Sequence, residues 1–172
     1  MSGLFKDALA AASRRTSPGR MRMTKEHVSL AGEYAVAAEL CRRGVYAQLT
    51  LGHHKRTDLL VEAGTTMLAI SVKAKQRNDW PHVAQVLRPD EYLVLVDFQH
   101  KEDTERPDFY VLNSDDWDKL LDDFVQGAKN AKRDPTYGVV FSDGWKGVNV
   151  KQKMVVESRE RWDKISAEGV ES

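Results

Sequence analysis

The chain is poor in the features that mark secreted and membrane-spanning proteins. It contains a single cysteine, Cys41, so no disulfide can form within it. No apolar run approaches the roughly 20 residues that a helix needs to cross a bilayer. The N-terminal residues also lack the continuous apolar segment of a signal peptide. Because a lone cysteine is usual in a reducing cytosol, we expect a cytoplasmic protein that has no membrane partner.

An excess of charge of either sign is also absent. The chain has 26 Lys and Arg residues and 26 Asp and Glu residues, so its net charge offers no argument for a nucleic-acid partner. The distribution is uneven, because residues 1–30 hold six basic and two acidic residues, whereas residues 102–123 hold nine acidic and two basic ones. Such a chain can present one basic face to a phosphate backbone, although ordinary solvated surface charge explains each cluster equally well.

Neither a glycine-rich phosphate loop nor a dinucleotide-binding fingerprint occurs in the sequence. Its 172 residues, 41% of them hydrophobic and 30% charged, are typical of one globular domain. We expect a flexible basic N-terminal arm over residues 1–24, with a short helix over residues 4–12. The folded domain is predicted over residues 25–165, and a C-terminal tail over residues 166–172.

The regular pattern begins with a helix. Apolar residues recur at helical spacing from Val28 to Cys41, Thr24 is the predicted N-cap and Gly44 the predicted C-cap. The predicted strands are residues 45–51, the two arms of a hairpin at 58–61 and 70–73, the strongly hydrophobic run 92–96, and residues 109–112 and 137–141.

Between and after these strands the sequence predicts less regular structure. Residues 76–90 form an irregular polar segment, residues 115–125 an acidic helix, residues 129–136 a basic turn-rich loop and residues 153–165 a closing helix or extended tail. Trp145 and Trp162 are expected to be packing residues. This order of elements predicts an α/β fold with a sheet of mixed type.

The hairpin is the most informative part of the chain. Centring its turn on Gly64-Thr65 places Leu59 opposite Ile70, residue 61 opposite residue 68, and Asp58 opposite Ser71. Because side chains alternate between the two faces of a strand, three polar residues share one face: Asp58, Ser71 and Lys73. A carboxylate and an ammonium group therefore meet on a hairpin whose other face is apolar.

These residues resemble the core of the PD-(D/E)xK nuclease superfamily, and in particular its restriction-endonuclease-like and Holliday-junction-resolvase-like members. The likeness spans residues 28–75 and includes Gly32-Glu33 on the helix before the hairpin, Asp58 on the first strand and Lys73 on the second. This sequence departs from the pattern at Ser71, where the family usually has Glu, Asp or Gln. The resemblance implies a restriction-endonuclease-like mixed central sheet flanked by helices.

The resemblance also implies a metal-dependent DNA endonuclease, with branched DNA among its candidate substrates. Asp58 would be the principal ligand of Mg²⁺ or Mn²⁺, Glu33 a second ligand and the backbone carbonyl of Val72 a further one. Lys73 would bind the phosphate and position water, and Ser71 would act through a water molecule. Relatives of this kind act as dimers, so a homodimer is expected by resemblance.

Residues that follow the second strand are candidates for contacts with DNA. Lys75, Gln76 and Arg77 could hold phosphates, and Gln76 is also a candidate to replace the missing acidic group at Ser71. Trp80 could stack on a base, although packing is the more common role of such a residue. The adjacent pair His53-His54 is expected to lie in a surface loop and to bind no metal, because adjacent strand residues point apart.

Each candidate also has a simpler interpretation. Asp58 and Lys73 can form a cross-strand ion pair, Glu33 can be a solvated helix residue, and a lysine on an edge strand can guard against aggregation. With Ser71 in the acidic position, the domain could instead be a catalytically inactive relative that binds nucleic acid or a protein partner. A protein-binding module that uses the acidic helix is a third hypothesis, supported only by its charge run.

Overall fold

A five-stranded sheet runs through the middle of the computed structural model, which describes residues 23–50 and 57–166. In chain order the elements are α1 (Lys25–Arg42), β1 (Tyr46–Leu49), β2 (Leu59–Ala63), β3 (Thr66–Lys75), β4 (Asp79–Val83), β5 (Glu91–Asp97), β6 (Asp108–Leu112), α2 (Ser114–Gly127), β7 (Ala131–Asp134), β8 (Gly138–Phe141), β9 (Val148–Lys151) and α3 (Asp163–Ser166). Two 3₁₀ turns, Gln152–Met154 and Val156–Ser158, precede α3. None of the helices in the described ranges is long and apolar enough to cross a membrane.

Helix α1 begins and ends where local chemistry favours a boundary. The hydroxyl of Thr24 accepts a hydrogen bond from the backbone N–H of His27, as the predicted N-cap requires. At the other end Arg43 is the C-cap, and Gly44 follows it with a φ of 78°. The N–H of Gly44 donates to Cys41 and that of Val45 donates to Leu40, which is a Schellman motif. Gly44, the predicted C-cap, therefore lies one position beyond the observed C-cap.

The predicted register of the hairpin is confirmed. Leu59 lies opposite Ile70, and Val61 opposite Leu68. The sheet order is β1-β2-β3-β5-β6, with β3 and β5 parallel and the other neighbours antiparallel. Because a parallel pair needs a crossover, the segment that contains β4 leaves the sheet between β3 and β5. The α/β fold with a mixed central sheet is confirmed, with helices packed against it.

Two apolar clusters cover the two faces of this sheet. On the first face, α1 packs through Val36 and Leu40 against Val72 and Val94, and the C-terminal Trp162 and Ile165 complete that cluster. On the second face, α2 and the two small sheets β4-β9 and β7-β8 pack against the sheet, as the cluster shows: Trp80, Val83, Leu93, Leu95, Tyr110, Trp117, Leu121, Val139 and Val148. Strand β5 is buried on both faces, as its continuous apolar sequence predicts.

Three predictions about irregular structure are wrong, and backbone pairing with another segment explains each difference. Part of the polar segment 76–90 is strand β4, whose buried Trp80 pairs with Val150 of β9. Part of the basic loop 129–136 is strand β7, which pairs with β8. Residues 153–165 do not form one helix, because Arg159 makes a backbone bridge to Tyr110 at the edge of β6. The partners of β4 and of Arg159 lie far away in the sequence, whereas β7 pairs with β8 across residues 135–137.

Other predictions fall where the structure describes no residues. These are the helix over residues 4–12 and nearly all of the N-terminal arm over residues 1–24, the surface loop with His53 and His54, and most of the tail over residues 166–172. They stay predictions.

Candidate active site beside the first hairpin

Asp58 is held at the start of strand β2 by its backbone and by its side chain. Its N–H donates to the carbonyl of Ile70 at 2.9 Å, and its own carbonyl accepts from the N–H of Thr50 at 3.0 Å. The carboxylate oxygen Oδ2 accepts a hydrogen bond from the backbone N–H of Val72 at 2.6 Å. The carboxylate is therefore aimed at the second strand of the hairpin rather than at bulk solvent.

The backbone N–H and C=O groups of successive residues in β3 point alternately toward its two neighbouring strands, β2 and β5. Ser71 and Lys73 pair with Leu93 and Leu95 of β5. The N–H of Val72 points the other way, toward Asp58. Because the N–H and C=O of one strand residue point to the same side, the carbonyl of Val72 also faces the side of Asp58. Backbone and side-chain oxygens thus converge where β2 begins.

Glu33 reaches this place because α1 lies unusually close to β3. A methyl group on Gly32 would lie only 2.6 Å from the Cβ of Ala74, a distance that side-chain atoms do not tolerate. Only glycine permits this approach at residue 32. Burial raises the pKa of the Glu33 carboxyl group, the negative charge of Asp58 raises it further, and the positive charge of Lys73 opposes both effects. The structure therefore brings Glu33, Asp58 and Lys73 together.

Lys73 is a half-buried cation without a fixed partner among the described residues. No hydrogen bond or ion pair joins it to any of them, so the alternative of a cross-strand ion pair with Asp58 is not formed. Its side chain lies on the same face of β3 as Ser71, as the alternation of the strand predicts. An ammonium group held in this way is available to an anionic ligand.

A cleft of about 370 Å³ opens beside these groups. Asp58, Ser71 and Lys73 line one side of it. The other side is formed by residues 82, 84–87, 91 and 135–137. A second cavity of about 370 Å³ lies on the other side of Lys73, and its walls include Lys25, Gln76 and Arg77. Lys73 lines both cavities, so it sits where the two meet.

The carboxylates at the site are few. Within residues 23–50 and 57–166, no three His, Cys, Asp or Glu side chains are grouped so that they could hold a metal ion. Glu33 and Asp58 are the two acidic residues that meet there, and Ser71 occupies the position at which a third carboxylate would stand. Ser71 also has an interaction with another part of the protein.

Lys75 does not fit its predicted role as a phosphate contact. Its side chain is 2% exposed and its ammonium group pairs with Asp97 at 2.7 Å. It also donates to the carbonyl of Arg77 at 2.9 Å and to Oε1 of Gln99 at 3.0 Å. The ammonium lies 4.6 Å from the centre of the Trp80 ring. All its donors are engaged inside the protein, so we assign Lys75 a structural role.

Trp80 does not fit the base-stacking role either. It is 1% exposed, and its indole N–H donates to the carbonyl of Val96 at 3.0 Å. Its ring meets Tyr110 edge-on at 5.5 Å. Packing, the alternative role, is what the structure shows. Gln76 is half-buried and Arg77 exposed at the second cavity, so these two keep their predicted position beside the site.

Sequence reasoning missed the wall of the cleft opposite Asp58. His82 and Tyr137 line it, although the first lies in a segment predicted to be irregular and the second at the start of a predicted strand. Trp145, expected to be a packing residue, is 43% exposed and stacks beside His82. The nearest signals in the sequence were the turn residues Asp134-Pro135 and Gly144, which do not indicate what they face.

Comparisons with known proteins add little. Neither the protein-family models nor the curated proteins include a match to this chain. Among solved structures, one that resembles it is a bacterial homing endonuclease, I-Ssp6803I. The likeness covers 86% of this chain and 95% of that one, with 13% sequence identity and a TM-score of 0.46. A likeness of this degree assigns neither a site residue nor a substrate to this chain.

Proposed function

We propose that this protein is a metal-dependent DNA endonuclease that hydrolyses phosphodiester bonds, with branched DNA among its candidate substrates. The observation that carries the proposal is that Asp58 and Lys73 line one cleft, while Glu33 of α1 lies close enough for the charges of both to act on its carboxyl group. Their arrangement matches the sequence pattern that resembles PD-(D/E)xK nucleases, from which only Ser71 departs. Placing two neighbouring carboxylates and a lysine in a partly buried site costs free energy, so such a cluster often marks a functional site. Phosphodiester hydrolysis uses the negative groups to bind a metal ion and the positive group to bind the phosphate.

The oxygen atoms at the site suit a hard divalent cation such as Mg²⁺ or Mn²⁺. Glu33 and Asp58 would hold the ion through carboxylate oxygens, and Val72 through its backbone carbonyl. The raised pKa of Glu33 supports this assignment, because a cation between the two carboxylates would remove the repulsion that contributes to it. The chemistry supplied by a bound ion would be the activation of water and the neutralisation of charge on the phosphate.

The residues of the chain would each make a distinct contribution. Lys73 would donate hydrogen bonds to a non-bridging phosphate oxygen, where negative charge grows as water attacks. Ser71, on the same face, would position a water molecule through its hydroxyl. The backbone N–H of Val72, which donates to Asp58 at 2.6 Å, would hold that carboxylate in one orientation. The cleft beside them has room for a nucleotide-sized part of the substrate.

Cleavage assays with single-residue variants test the proposal. The purified protein is incubated with linear, nicked, single-stranded and four-way-junction DNA in Mg²⁺ or Mn²⁺. We expect wild-type cleavage, and a loss of at least about 100-fold in Asp58→Ala and in Lys73→Ala. Lys119→Ala and Asp123→Ala are matched controls, because these residues pair with each other on the exposed side of α2. Wild-type-like cleavage by Lys73→Ala would contradict the assignment.

A catalytically inactive domain that binds nucleic acid is the second candidate function. It is favoured by Ser71 and by the finding that, within the described residues, no three His, Cys, Asp or Glu side chains are grouped so that they could hold a metal ion. Titration calorimetry with Mn²⁺ separates the two candidates, because an inactive site should bind the ion no more tightly than a generic acidic surface. Metal binding that disappears in Asp58→Ala, accompanied by cleavage, would exclude this candidate.

A further inference from the structure

Two ring contacts, one between two aromatic side chains and one between a cation and a ring, lie beside the cleft that Asp58 and Lys73 line. The rings of His82 and Trp145 lie 3.9 Å apart between centres and are inclined by 38°, so they form a nearly stacked pair. Beside them, the ammonium of Lys146 lies 4.1 Å from the centre of the Tyr137 ring. His82 and Tyr137 both line the same cleft as Asp58. We refer to His82, Tyr137, Trp145 and Lys146 as the aromatic wall.

Trp145 is far more exposed to solvent than the other tryptophans of the chain. It is 43% exposed, whereas the other three tryptophans of the chain are between 0% and 4% exposed: Trp80, Trp117 and Trp162. An exposed tryptophan that rests on another ring offers a large flat apolar surface to a ligand at low entropic cost. Its place in the fold therefore differs from that of a packing residue.

The turns that carry the aromatic wall are held rigidly. Oδ1 of Asp134 accepts hydrogen bonds from the N–H groups of Thr136 at 2.9 Å and Tyr137 at 2.8 Å. Oδ1 of Asp143 accepts from the N–H of Trp145 at 3.0 Å. These are Asx-type turns, which fix the direction of the residues that follow them. The two rings are thus presented in a defined orientation.

The backbone of His82 is strained in a way that orients its ring. Its φ of 53° lies in the left-handed region, which is uncommon for a residue other than glycine. Its N–H donates to Oδ1 of Asn149 at 3.0 Å, which holds this conformation. Beyond the Trp145 turn, Gly147 has a φ of 80°, and a methyl group there would lie 2.8 Å from the carbonyl of Val83. Strain of this kind is often retained where it positions a ligand contact.

Basic residues surround the aromatic wall. Residues 129–153 hold six Lys and Arg against two Asp, although the chain as a whole is neutral. Lys132, Lys146 and Lys151 are exposed. Aromatic rings combined with cations are the recognised means of binding unpaired nucleotides, since every base has a face on which it can stack. A base inside a duplex is already stacked on both faces, so it offers no free face to such a wall.

We propose that the aromatic wall binds unpaired nucleotides of a DNA strand, with a base stacked on Trp145 and a phosphate near Lys146. The strand would then lead into the cleft toward Asp58 and Lys73. This inference rests on the proposed function and specifies its substrate class, namely DNA with a single-stranded part next to the bond that is cut. Trp145 is a binding residue in this proposal, not a catalytic one.

Fluorescence titration in EDTA tests the wall without cleavage. Because Trp145 is the exposed tryptophan, stacking of a base should quench part of the emission when an oligo-dT strand is added. Because substitution of Trp145 removes this fluorescent probe, the affinity of each variant is measured by the anisotropy of a dye-labelled oligo-dT strand. By that measurement we expect Trp145→Leu to bind oligo-dT about tenfold or more weakly than the wild type. Trp145→Phe, which keeps a ring, should retain most of the affinity. Tyr46→Leu is the control, because Tyr46 is 61% exposed and lies outside the lining of the cleft.

Two results would overturn the inference. The first is oligo-dT binding by Trp145→Leu with the affinity of the wild type. The second is an equal loss of affinity for oligo-dT and for a blunt duplex of the same length, because base stacking requires a free base. Circular dichroism of each variant confirms that it is folded, so a loss of binding cannot be attributed to unfolding.

Failure of this inference and failure of the proposed function give different results. If the wild type cleaves DNA but Trp145→Leu binds oligo-dT with wild-type affinity, the proposed nucleotide binding by the aromatic wall is wrong and the proposed nuclease activity is supported. If the wild type cleaves none of the DNA forms but oligo-dT quenches its tryptophan emission as expected, nucleotide binding by the aromatic wall is supported and the proposed nuclease activity is wrong. Asp58→Ala supplies a further check, since it should lose cleavage and keep the quenching by oligo-dT.

Discussion

At the scale of single residues, two lysines of strand β3 show how position decides role. Lys73 and Lys75 are two residues apart and lie on the same face of the strand. Lys73 is half-buried and borders both cavities, whereas Lys75 is almost fully buried and paired with Asp97. The same side chain is a candidate for phosphate binding at the first position and a structural cation at the second.

This contrast predicts that alanine substitutions at the two lysines change the free energy of unfolding by very different amounts. Lys75→Ala should lower the free energy of unfolding by about 3 to 5 kcal/mol, because it leaves the buried charge of Asp97 without its partner. Lys73→Ala should change that free energy by less than about 1 kcal/mol, because Lys73 makes no hydrogen bond or ion pair with the residues that the structure describes. Urea denaturation followed by circular dichroism measures both values.

The two variants are controls for each other. Equal destabilisation by both would show that Lys73 is a structural residue, and would remove the basis for its role in phosphate binding. In cleavage assays Lys73→Ala should be inactive although it is as stable as the wild type.

At the scale of secondary-structure elements, the approach of α1 to β3 creates the site. The contact of Gly32 with Ala74 lets the helix lie against the strand, and Glu33 follows directly on the side of Asp58. The Schellman motif at Gly44 and the N-cap at Thr24 fix the length of the helix, so its position along the sheet is also defined.

Gly32→Ala should therefore destabilise the protein. The added methyl group would meet the Cβ of Ala74 at 2.6 Å. We expect a net loss of about 1 to 2 kcal/mol, because overpacking outweighs the gain in helix propensity. Thermal or urea unfolding measures the change. The matched control is Gly127→Ala at the end of α2, where no atom lies within 4 Å of the added methyl group.

A second substitution tests the cause. Combined with Ala74→Gly, the Gly32→Ala variant should be more stable than the sum of the two single changes predicts, because the pair restores the space between helix and strand. Strict additivity would show that the contact between residues 32 and 74 does not limit the approach of α1.

At the scale of the whole molecule, a charged network joins three distant parts of the chain. Glu39 of α1 accepts hydrogen bonds from Arg106 at 2.8 and 2.7 Å, and Arg106 also donates to Glu160 at 2.9 and 2.8 Å. Arg43 contacts both Glu39 and Glu160. The network ties the helix, the connection before β6 and the C-terminal segment across one end of the sheet.

This network predicts a dependence of stability on acid. The pKa of Glu39 is lowered from 4.5 to about 2, chiefly by the hydrogen bonds from Arg106 and also by Arg43, while burial acts in the opposite direction. A lowered carboxyl pKa contributes stability that is present above the unfolded-state value and is lost as the pH falls through the folded-state value. Glu39→Gln should cost roughly 2 to 3 kcal/mol at pH 7, since one pKa unit corresponds to about 1.4 kcal/mol.

The difference in the free energy of unfolding between wild type and Glu39→Gln should shrink as the pH falls from 4.5, the ordinary pKa of Glu39, toward its folded-state value of about 2. Urea denaturation at several pH values measures it. Glu62→Gln is the control, because the side chain of Glu62 is exposed and takes no part in the network. A difference that stays constant over this range would show that the ionised form of Glu39 contributes nothing specific.

The local features of this fold were determined by the sequence alone. Residues near one another in the chain specify the N-cap at Thr24, the glycine at the end of α1 and the register of the hairpin, because capping and strand alternation are local properties. From that register the shared face of Asp58, Ser71 and Lys73 follows without any knowledge of the rest. The buried strand 92–96 is also evident, since a continuous apolar run needs cover on both faces.

Only the tertiary structure decided which polar and aromatic residues are available to a ligand. The sequence could not show which of three residues bind a ligand and which are structural, because the role of each depends on a partner far away in the chain. Lys75 pairs with Asp97, Trp80 donates to Val96 and Trp145 contacts His82. Strands β4 and β9 were missed for the same reason, because they pair with each other and long-range pairing outweighs weak local preference. Strand β7 was missed although its partner β8 is near, because its polar sequence favours a loop. The hairpin carries the candidate chemistry in its own sequence, whereas the wall that faces it exists only after folding.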